Sequence, residues 1–165
     1  MATTIGTPVP NTSVIGVNLT RTDTSAQFPV GTVVNLSNGG QAMYIKASTS
    51  ALSTYGAVSI AKTGLAMLLT TTNAATSSSI GFAQTSIATS SYGWVLLSGK
   101  VLVNGASQCA PAVPLFTTGT AGVVDDATVT AGYLPGLVAA TTISNATALT
   151  CQAAYPHVAR YGGGA

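Results

Sequence analysis

Apolar and polar residues alternate with a period of two along several short stretches of the chain. In "QAMYIKAS" (residues 41–48), Tyr44 and Lys46 fall on one face of an extended strand and their immediate neighbours on the other. The preceding run "FPVGTVVNL" (28–36) is rich in valine, and "NGG" at 38–40 is a strong turn signal. The pattern therefore predicts two short strands joined by this turn.

The same period recurs in "YGWVLLSGKVLV" (92–103), which contains the single tryptophan of the chain. Tyr92, Trp94 and Leu96 share one face of this predicted strand, and Ser98-Gly99 indicates a turn or bulge before the alternation resumes. The neighbours of the aromatic pair are apolar. The pattern therefore favours a buried β core or a subunit interface over a platform that stacks on a sugar or base.

Further short strands are predicted at "AVSIAKTG" (57–64) and "IGFAQTSIA" (80–88), whereas "LAMLLTTTNAAT" (65–76) fits either a short strand or a single helical turn. After residue 110, glycines and prolines interrupt the chain at short intervals, and no long amphipathic helix is visible. We expect an all-β fold, a single β-sandwich or barrel of many short strands with little helix. Phe82 and Tyr44 are further candidates for its core or a subunit interface.

Three regions are predicted along the chain. Residues 1–27 are polar, contain Pro8 and Pro10 and lack periodicity, which is typical of an extended N-terminal arm. The β domain is expected to span residues 28–160. The remaining 161–165 contain three consecutive glycines and are expected to form a flexible tail.

Charged residues make up 5% of the 165 residues, against roughly 25% in an ordinary soluble domain. The five basic residues are scattered between Arg21 and Arg160, so nucleic-acid binding through clustered phosphate contacts is not expected. A surface with so few charges favours a subunit packed against neighbours, and a soluble domain hydrated by its hydroxyl groups is the alternative. Neither a signal peptide nor a membrane-spanning run is visible, which predicts a chain made in the cytoplasm.

Few residues can carry chemistry. The chain has one histidine, His157, and no glutamate, so we expect neither an enzyme nor a bound cofactor or metal. Asp125 and Asp126 are predicted to lie in a turn, because a calcium ion needs about 6–8 oxygen ligands and this pair supplies few. Cys109 and Cys151 match no metal or redox spacing. They are expected to be reduced, buried thiols, with a disulfide in an oxidising medium as the alternative.

Three segments together resemble a known family. They read "AMYIKAST" (42–49), "LTTTNAATSSSIGFAQTSIATSSYGWVLLSG" (69–99) and "CAPAVPLFTTGTAGVVDD" (109–126), and the region from 42 to 126 that they span is about half of the chain. An "IGFAQ" block that leads into "YGWV" and "SG", followed by "GTAGVVDD", resembles the capsid decoration or cement proteins of tailed phages. The first 40 residues and the C-terminal tail carry no part of this resemblance.

The resemblance implies a β-rich protein that binds the outer surface of an icosahedral phage head after the shell expands. There it would bridge adjacent major capsid subunits and stabilise the shell against internal DNA pressure. The implied partners are the major capsid protein and copies of the chain itself, as a homotrimer in preference to a homodimer, with no nucleic acid and no membrane. The implied location is the outer capsid surface of the virion, with assembly in the host cytoplasm.

Two other classes of protein remain alternatives. A head-fibre or receptor- or carbohydrate-binding β module on a virion surface would need exposed aromatic residues with polar companions. A pilus-like or surface-layer subunit would need export.

Overall fold

The computed structural model describes residues 17–37, 39–74, 76–77, 79–127, 132–142 and 148–157. Strands make up 49% of the structure and helix 3%, so the predicted all-β class is confirmed. Within these residues the chain forms eleven strands and one short helix: β1 Thr22–Asp23, β2 Val33–Asn35, β3 Gln41–Ala47, β4 Ala57–Ile60, β5 Leu65–Leu68, α1 Thr71–Ala74, β6 Ser79–Ala83, β7 Tyr92–Gly105, β8 Pro114–Thr117, β9 Val123–Asp125, β10 Tyr133–Ala139 and β11 Ala148–Ala154.

Five strands form a first closed circuit of hydrogen-bonded neighbours, in the order β7, β6, β4, β5 and β3. Neighbours in this circuit are antiparallel except β3 and β5, which run parallel with Lys46 opposite Leu65. The circuit closes where β3 pairs with β7, with Tyr44 opposite Trp94. The barrel form of the sequence prediction is therefore confirmed, because a sheet that closes on itself is a barrel.

The C-terminal half of β7 belongs to a second closed circuit, which runs β7, β9, β8, β10 and β11. Strand β11 closes it by pairing with β7 from Asn104 opposite Ala148 to Ser98 opposite Ala154. In this circuit β7 and β9 are parallel and the other neighbours are antiparallel. The 14-residue strand β7 is thus long enough to serve both circuits in turn.

A bulge divides β7 between the two circuits. Leu96 lies opposite Ala42 and Ser98 lies opposite Gln41, so Leu97 is an extra residue without a partner on β3. The next residue but one, Gly99, has a φ angle of +99°, which is outside the range that side chains tolerate well. The bulge or turn predicted at Ser98-Gly99 is therefore present.

The bulge also changes the face on which side chains lie. In an unbroken strand, positions 96 and 101 would lie on opposite faces, because the period is two. Here Leu96 and Val101 belong to the same buried cluster, whereas Leu97 belongs to the other. One inserted residue thus brings the outward-facing side chains of the first half of β7 and the inward-facing side chains of its second half into the same hydrophobic cluster.

Two hydrophobic clusters fill the domain. One receives side chains from all five strands of the first circuit and so fills its interior: Ile45, Ala47, Val58, Ile60, Ala66, Ala83, Val95 and Leu97. The other receives side chains from all five strands of the second circuit and continues onto the opposite face of the first: Val101, Leu115, Val124, Leu137, Cys151, Tyr44, Phe82, Trp94 and Leu96. This second cluster therefore joins the two circuits through β3, β6 and β7.

The segment before the first circuit packs against it. Within the predicted arm 1–27, residues 1–16 lie outside the described residues, as do 161–165 of the predicted tail. Residues 17–27 are described: Leu19 is buried, and β1 pairs with β7 through Thr22 opposite Gly93. This part of the chain covers the aromatic side chains of β3 and β7.

Local elements follow the sequence signals closely in two places. Strands β2 and β3 are joined around Gly39, whose φ angle is +81°, as expected from the turn signal there; Asn38 lies outside the described residues. The ambiguous stretch 65–76 contains both alternatives in succession, strand β5 and then the single helical turn α1. The Asn73 side chain stabilises that turn by accepting a hydrogen bond from the Thr70 N–H at 2.8 Å.

We predict that Gly99→Ala destabilises the fold by about 1–2 kcal/mol, because a Cβ at φ of +99° forces a strained backbone at the bulge. Gly119→Ala is the matched control, since its backbone is not left-handed and a Cβ there meets nothing within 4 Å. Its effect should stay within about 0.5 kcal/mol. Urea unfolding of both variants measures the difference, and equal stabilities would contradict the role given to the bulge.

Candidate functional site

The candidate aromatic residues of the sequence meet in one cluster on β3 and β7. Because Tyr44 lies directly opposite Trp94 in the strand pairing, their rings are neighbours, with centroids 5.1 Å apart. The Tyr92 ring stacks on that of Tyr44 at 6.1 Å. Phe28, which precedes the first circuit, makes edge contacts at 5.3 Å with both Tyr44 and Trp94.

The burial of these aromatic rings determines whether the cluster can bind a ligand. Tyr44 is 0% exposed and Trp94 is 3% exposed, and Phe82 and Leu96 are fully buried in the same hydrophobic cluster. Tyr92 is half-buried, and the Lys46 ammonium lies 5.5 Å from its ring centroid, within cation–π range. The faces of Tyr44 and Trp94 are therefore covered by protein, so they offer no stacking surface to a ligand.

A polar network covers the Tyr44 end of the cluster. The Tyr44 hydroxyl donates to Asp23 Oδ2 at 3.0 Å and accepts from the Gln27 N–H at 3.2 Å. Asp23 in turn accepts from Arg21 Nε at 2.7 Å. Burial raises the pKa of the Tyr44 hydroxyl above its usual value, and the Asp23 carboxylate acts in the same direction. No sequence pattern indicates this contact, because residues 21–27 fall within the predicted arm.

Asp125 and Asp126, predicted as turn residues, lie at the end of β9 and beside Cys109. Asp125 is the last residue of the strand, and Asp126 follows in a bend. The Cys109 thiol donates to Asp125 Oδ1 at 3.6 Å, and the three ligating atoms of Cys109, Asp125 and Asp126 lie within 4.8 Å of one another. The sequence pattern did not predict that Cys109 would lie beside the two carboxylates.

Both cysteines are free and buried. Burial raises the pKa of the Cys109 thiol, and the neighbouring carboxylates of Asp126 and Asp125 add to that effect. Burial also raises the pKa of Cys151 to about 12, with a further contribution from the charge of Cys109. Thiols held protonated in this way are poor nucleophiles, since the thiolate is the reactive form.

One apolar depression opens beside the end of β11. Its volume is about 180 Å³, below the roughly 300–1,000 Å³ of typical small-molecule sites. It includes the exposed His157 but no carboxylate, so an acid–base pair is not assembled there. The lining residues are Ser79, Ile80, Leu97, Tyr155, Pro156 and His157.

Large exposed hydrophobic side chains occur on both circuits. Two lie on the Tyr44 face of β3: Phe28 contacts Tyr44, and Leu65 lies opposite Lys46. Val33 lies opposite Met43, on the other face of β3. We call Phe28 and Leu65, which are 37% and 41% exposed, the β3 patch. On the second circuit, Val138 of β10 and Tyr155 after β11 are 46% and 54% exposed.

Comparison with known proteins identifies no family for this chain. No protein-family model matches the chain, and no curated protein matches its sequence. Among the described residues, no helix has the length and apolar character needed to cross a membrane.

The buried Cys151 thiol predicts a loss of stability at alkaline pH. The unfolded chain releases the thiol proton near pH 9.0, whereas the folded chain keeps it until about 12. The protonated Cys151 thiol therefore contributes its full stabilisation below pH 9.0. Between pH 9.0 and about 12, the free energy of unfolding falls by up to about 1.4 kcal/mol per pH unit as pH rises. Urea unfolding across this range measures the slope. Cys151→Ala should reduce it, with Tyr44 and Cys109 accounting for the remainder, and an unchanged slope would contradict the prediction.

Proposed function

We propose that this protein is a capsid decoration, or cement, protein of a tailed phage. It binds the outer surface of the icosahedral head, bridges adjacent major capsid subunits and stabilises the shell against the outward pressure of packaged DNA. Its role is structural and not catalytic. The proposal rests on the resemblance of residues 42–126 to that family together with the surface properties of the domain.

The observation that carries the proposal is the placement of exposed hydrophobic side chains on both circuits. A protein that bridges two subunits needs contact surfaces on two parts of a rigid body. The β3 patch lies on the first circuit, and Val138 and Tyr155 lie on the second. Because β7 runs through both circuits, a load applied at one surface passes to the other through a hydrogen-bonded strand.

The low charge of the chain supports close contact with other subunits. Burying an ion in an interface costs free energy unless it finds a partner, and charged residues are depleted at interface centres. With 5% charged residues, this chain can bury most of its surface against a neighbour without removing ions from water.

Copies of the chain would strengthen the attachment. We propose that it acts as a homotrimer, so that each assembly contacts several capsid subunits at once. Linked contacts raise the effective concentration of each further contact, which makes release slow even where a single contact is weak.

Among the described residues, the aromatic cluster of β3 and β7 does not offer the surface that the glycan-binding alternative requires. A sugar platform needs exposed aromatic faces with polar companions, whereas Trp94 is 3% exposed and Tyr44 is 0% exposed. The partly exposed rings of Phe28 and Tyr92 pack on that buried pair.

We predict that a charge on either contact surface weakens binding to expanded capsids. Leu65→Glu and Val138→Glu each place a carboxylate on an exposed hydrophobic position, one on each circuit. Each should lower the affinity for purified expanded shells at least about tenfold, or about 1.4 kcal/mol, because the carboxylate must be desolvated in the contact. Co-sedimentation with shells that lack a decoration protein measures the bound fraction.

Ser50→Glu is the matched control, since it adds the same charge at an exposed polar loop position. Its binding should equal that of the unmodified protein. Wild-type protein that fails to bind any expanded shell tested would contradict the proposal, as would full binding by both Leu65→Glu and Val138→Glu.

We also predict a role for the predicted N-terminal arm. Deletion of residues 2–16 leaves intact the described segment from Val17, including the buried Leu19 and the Asp23–Tyr44 hydrogen bond. The truncated protein should keep its thermal stability within about 0.5 kcal/mol and lose capsid occupancy, because an arm that orders on a neighbour contributes only in the assembly. Full occupancy by the truncated protein would show that the arm makes no contact.

A further inference from the structure

Three side chains that can bind a metal ion converge at one end of the second circuit. Cys109 comes from the connection between β7 and β8, Asp125 ends β9, and Asp126 follows it. Their ligating atoms all lie within 4.8 Å of one another, and Cys109 Sγ is 3.6 Å from Asp125 Oδ1. Metal–ligand bonds of about 2.0–2.3 Å require ligand atoms spaced within this range.

The charge at this position is uncompensated within the described part of the chain. Asp125 and Asp126 are two of the three acidic residues of the whole sequence. The third, Asp23, forms an ion pair with Arg21, but among the described residues neither Asp125 nor Asp126 has a lysine or arginine partner. Two adjacent carboxylates without a counter-ion repel each other, and a bound cation would remove that repulsion.

A buried thiol points at the carboxylate pair independently of their charge. Cys109 is 0% exposed, its thiol donates to Asp125 Oδ1, and the Asp126 backbone also hydrogen-bonds its sulfur. Cys109 belongs to the second hydrophobic cluster, yet its sulfur also contacts a carboxylate. It therefore lies at the border between apolar side chains and the carboxylate pair, from where it can bind a metal ion.

Hydrogen bonds orient both carboxylates, and one oxygen of each stays available to bind a metal ion. Asp126 Oδ2 accepts from the Ala110 N–H at 2.8 Å, and Asp125 Oδ1 accepts from the Asp126 N–H at 2.8 Å. These bonds orient both groups, while Asp125 Oδ2 and Asp126 Oδ1 make no hydrogen bond within the described residues. Backbone bonds to a carboxylate ligand are typical of metal sites, because they fix its orientation.

We propose that Cys109, Asp125 and Asp126 form a binding site for a zinc-type divalent metal ion. A thiolate with two carboxylates suits Zn²⁺, with water in the fourth position, whereas Ca²⁺ and Mg²⁺ select oxygen ligands alone. Binding converts the Cys109 thiol to a thiolate, so each ion bound releases one proton to solvent. The ion ties the connection between β7 and β8 to the end of β9. This site does not depend on the proposed capsid function.

Titration of the purified, reduced full-length chain with Zn²⁺ alone, followed by calorimetry, tests the site. One ion should bind per chain, with release of one proton, and the thermal unfolding midpoint should rise with Zn²⁺ concentration. Co²⁺ serves as a spectroscopic probe, and it should show the charge-transfer absorption of a thiolate ligand. Calcium should neither bind with comparable affinity nor raise the midpoint.

Matched variants separate this site from adventitious binding. Asp125→Asn and Asp126→Asn each keep an oxygen that accepts the backbone hydrogen bond but remove an anionic ligand. Since even outer-shell partners contribute about 10- to 100-fold to metal affinity, each variant should weaken Zn²⁺ binding at least about tenfold. Cys109→Ser should also abolish the thiolate absorption of Co²⁺. His157→Ala is the control and should bind as the unmodified protein does.

Several results would overturn the proposal. They are the absence of Zn²⁺ binding, unchanged binding by both Asn variants, loss of binding in His157→Ala, tighter binding of Ca²⁺ than of Zn²⁺, or a Co²⁺ complex without thiolate absorption. If Cys109→Ser does not fold, the two Asn variants still decide the question.

Discussion

Strand β7 (Tyr92–Gly105) pairs with strands of both five-stranded circuits, and the remaining architecture depends on this sharing. Its first half pairs with β3 and β6, and its second half pairs with β9 and β11. In a regular strand, Trp94 would share a face with Leu102 and not with Val103, because side chains alternate with a period of two. The extra residue Leu97 and the left-handed Gly99 correct the phase, so that Trp94 and Val103 line one continuous core.

Closure of the two circuits leaves few free strand edges, which matters for a chain with so few charges. Most soluble β proteins protect open edges with charged residues, whereas a closed circuit has no edge to protect. Here only the short strands β1 and β2 extend beyond the circuits within the described residues, with two and three residues respectively. The surface can therefore keep the hydroxyl-rich, weakly charged character that the proposed contact with other capsid subunits requires.

The sequence predicted features that depend on local pattern and missed those that depend on long-range pairing. The alternation in 41–48 and 92–103, the turn before Gln41 and the break at Ser98-Gly99 all have local signals, and each is present in the fold. The parallel pairs β3–β5 and β7–β9 have none, since their register is set by packing across the domain. For the same reason the contacts of Asp23 with Tyr44 and of Cys109 with Asp125 could not be read from spacing.

Native-state hydrogen exchange along β7 tests most directly whether the two circuits form one cooperative body. If β7 transmits load between the two contact surfaces, the amides of Val95 in its first half and Val103 in its second half should exchange only through global unfolding, with equal opening free energies. The partners of the second half, such as Leu149 in β11, should open with them. Exchange of β8–β11 at a clearly lower free energy than β3–β6 would show two independent units, and would contradict the central claim that β7 makes the two circuits one cooperative body.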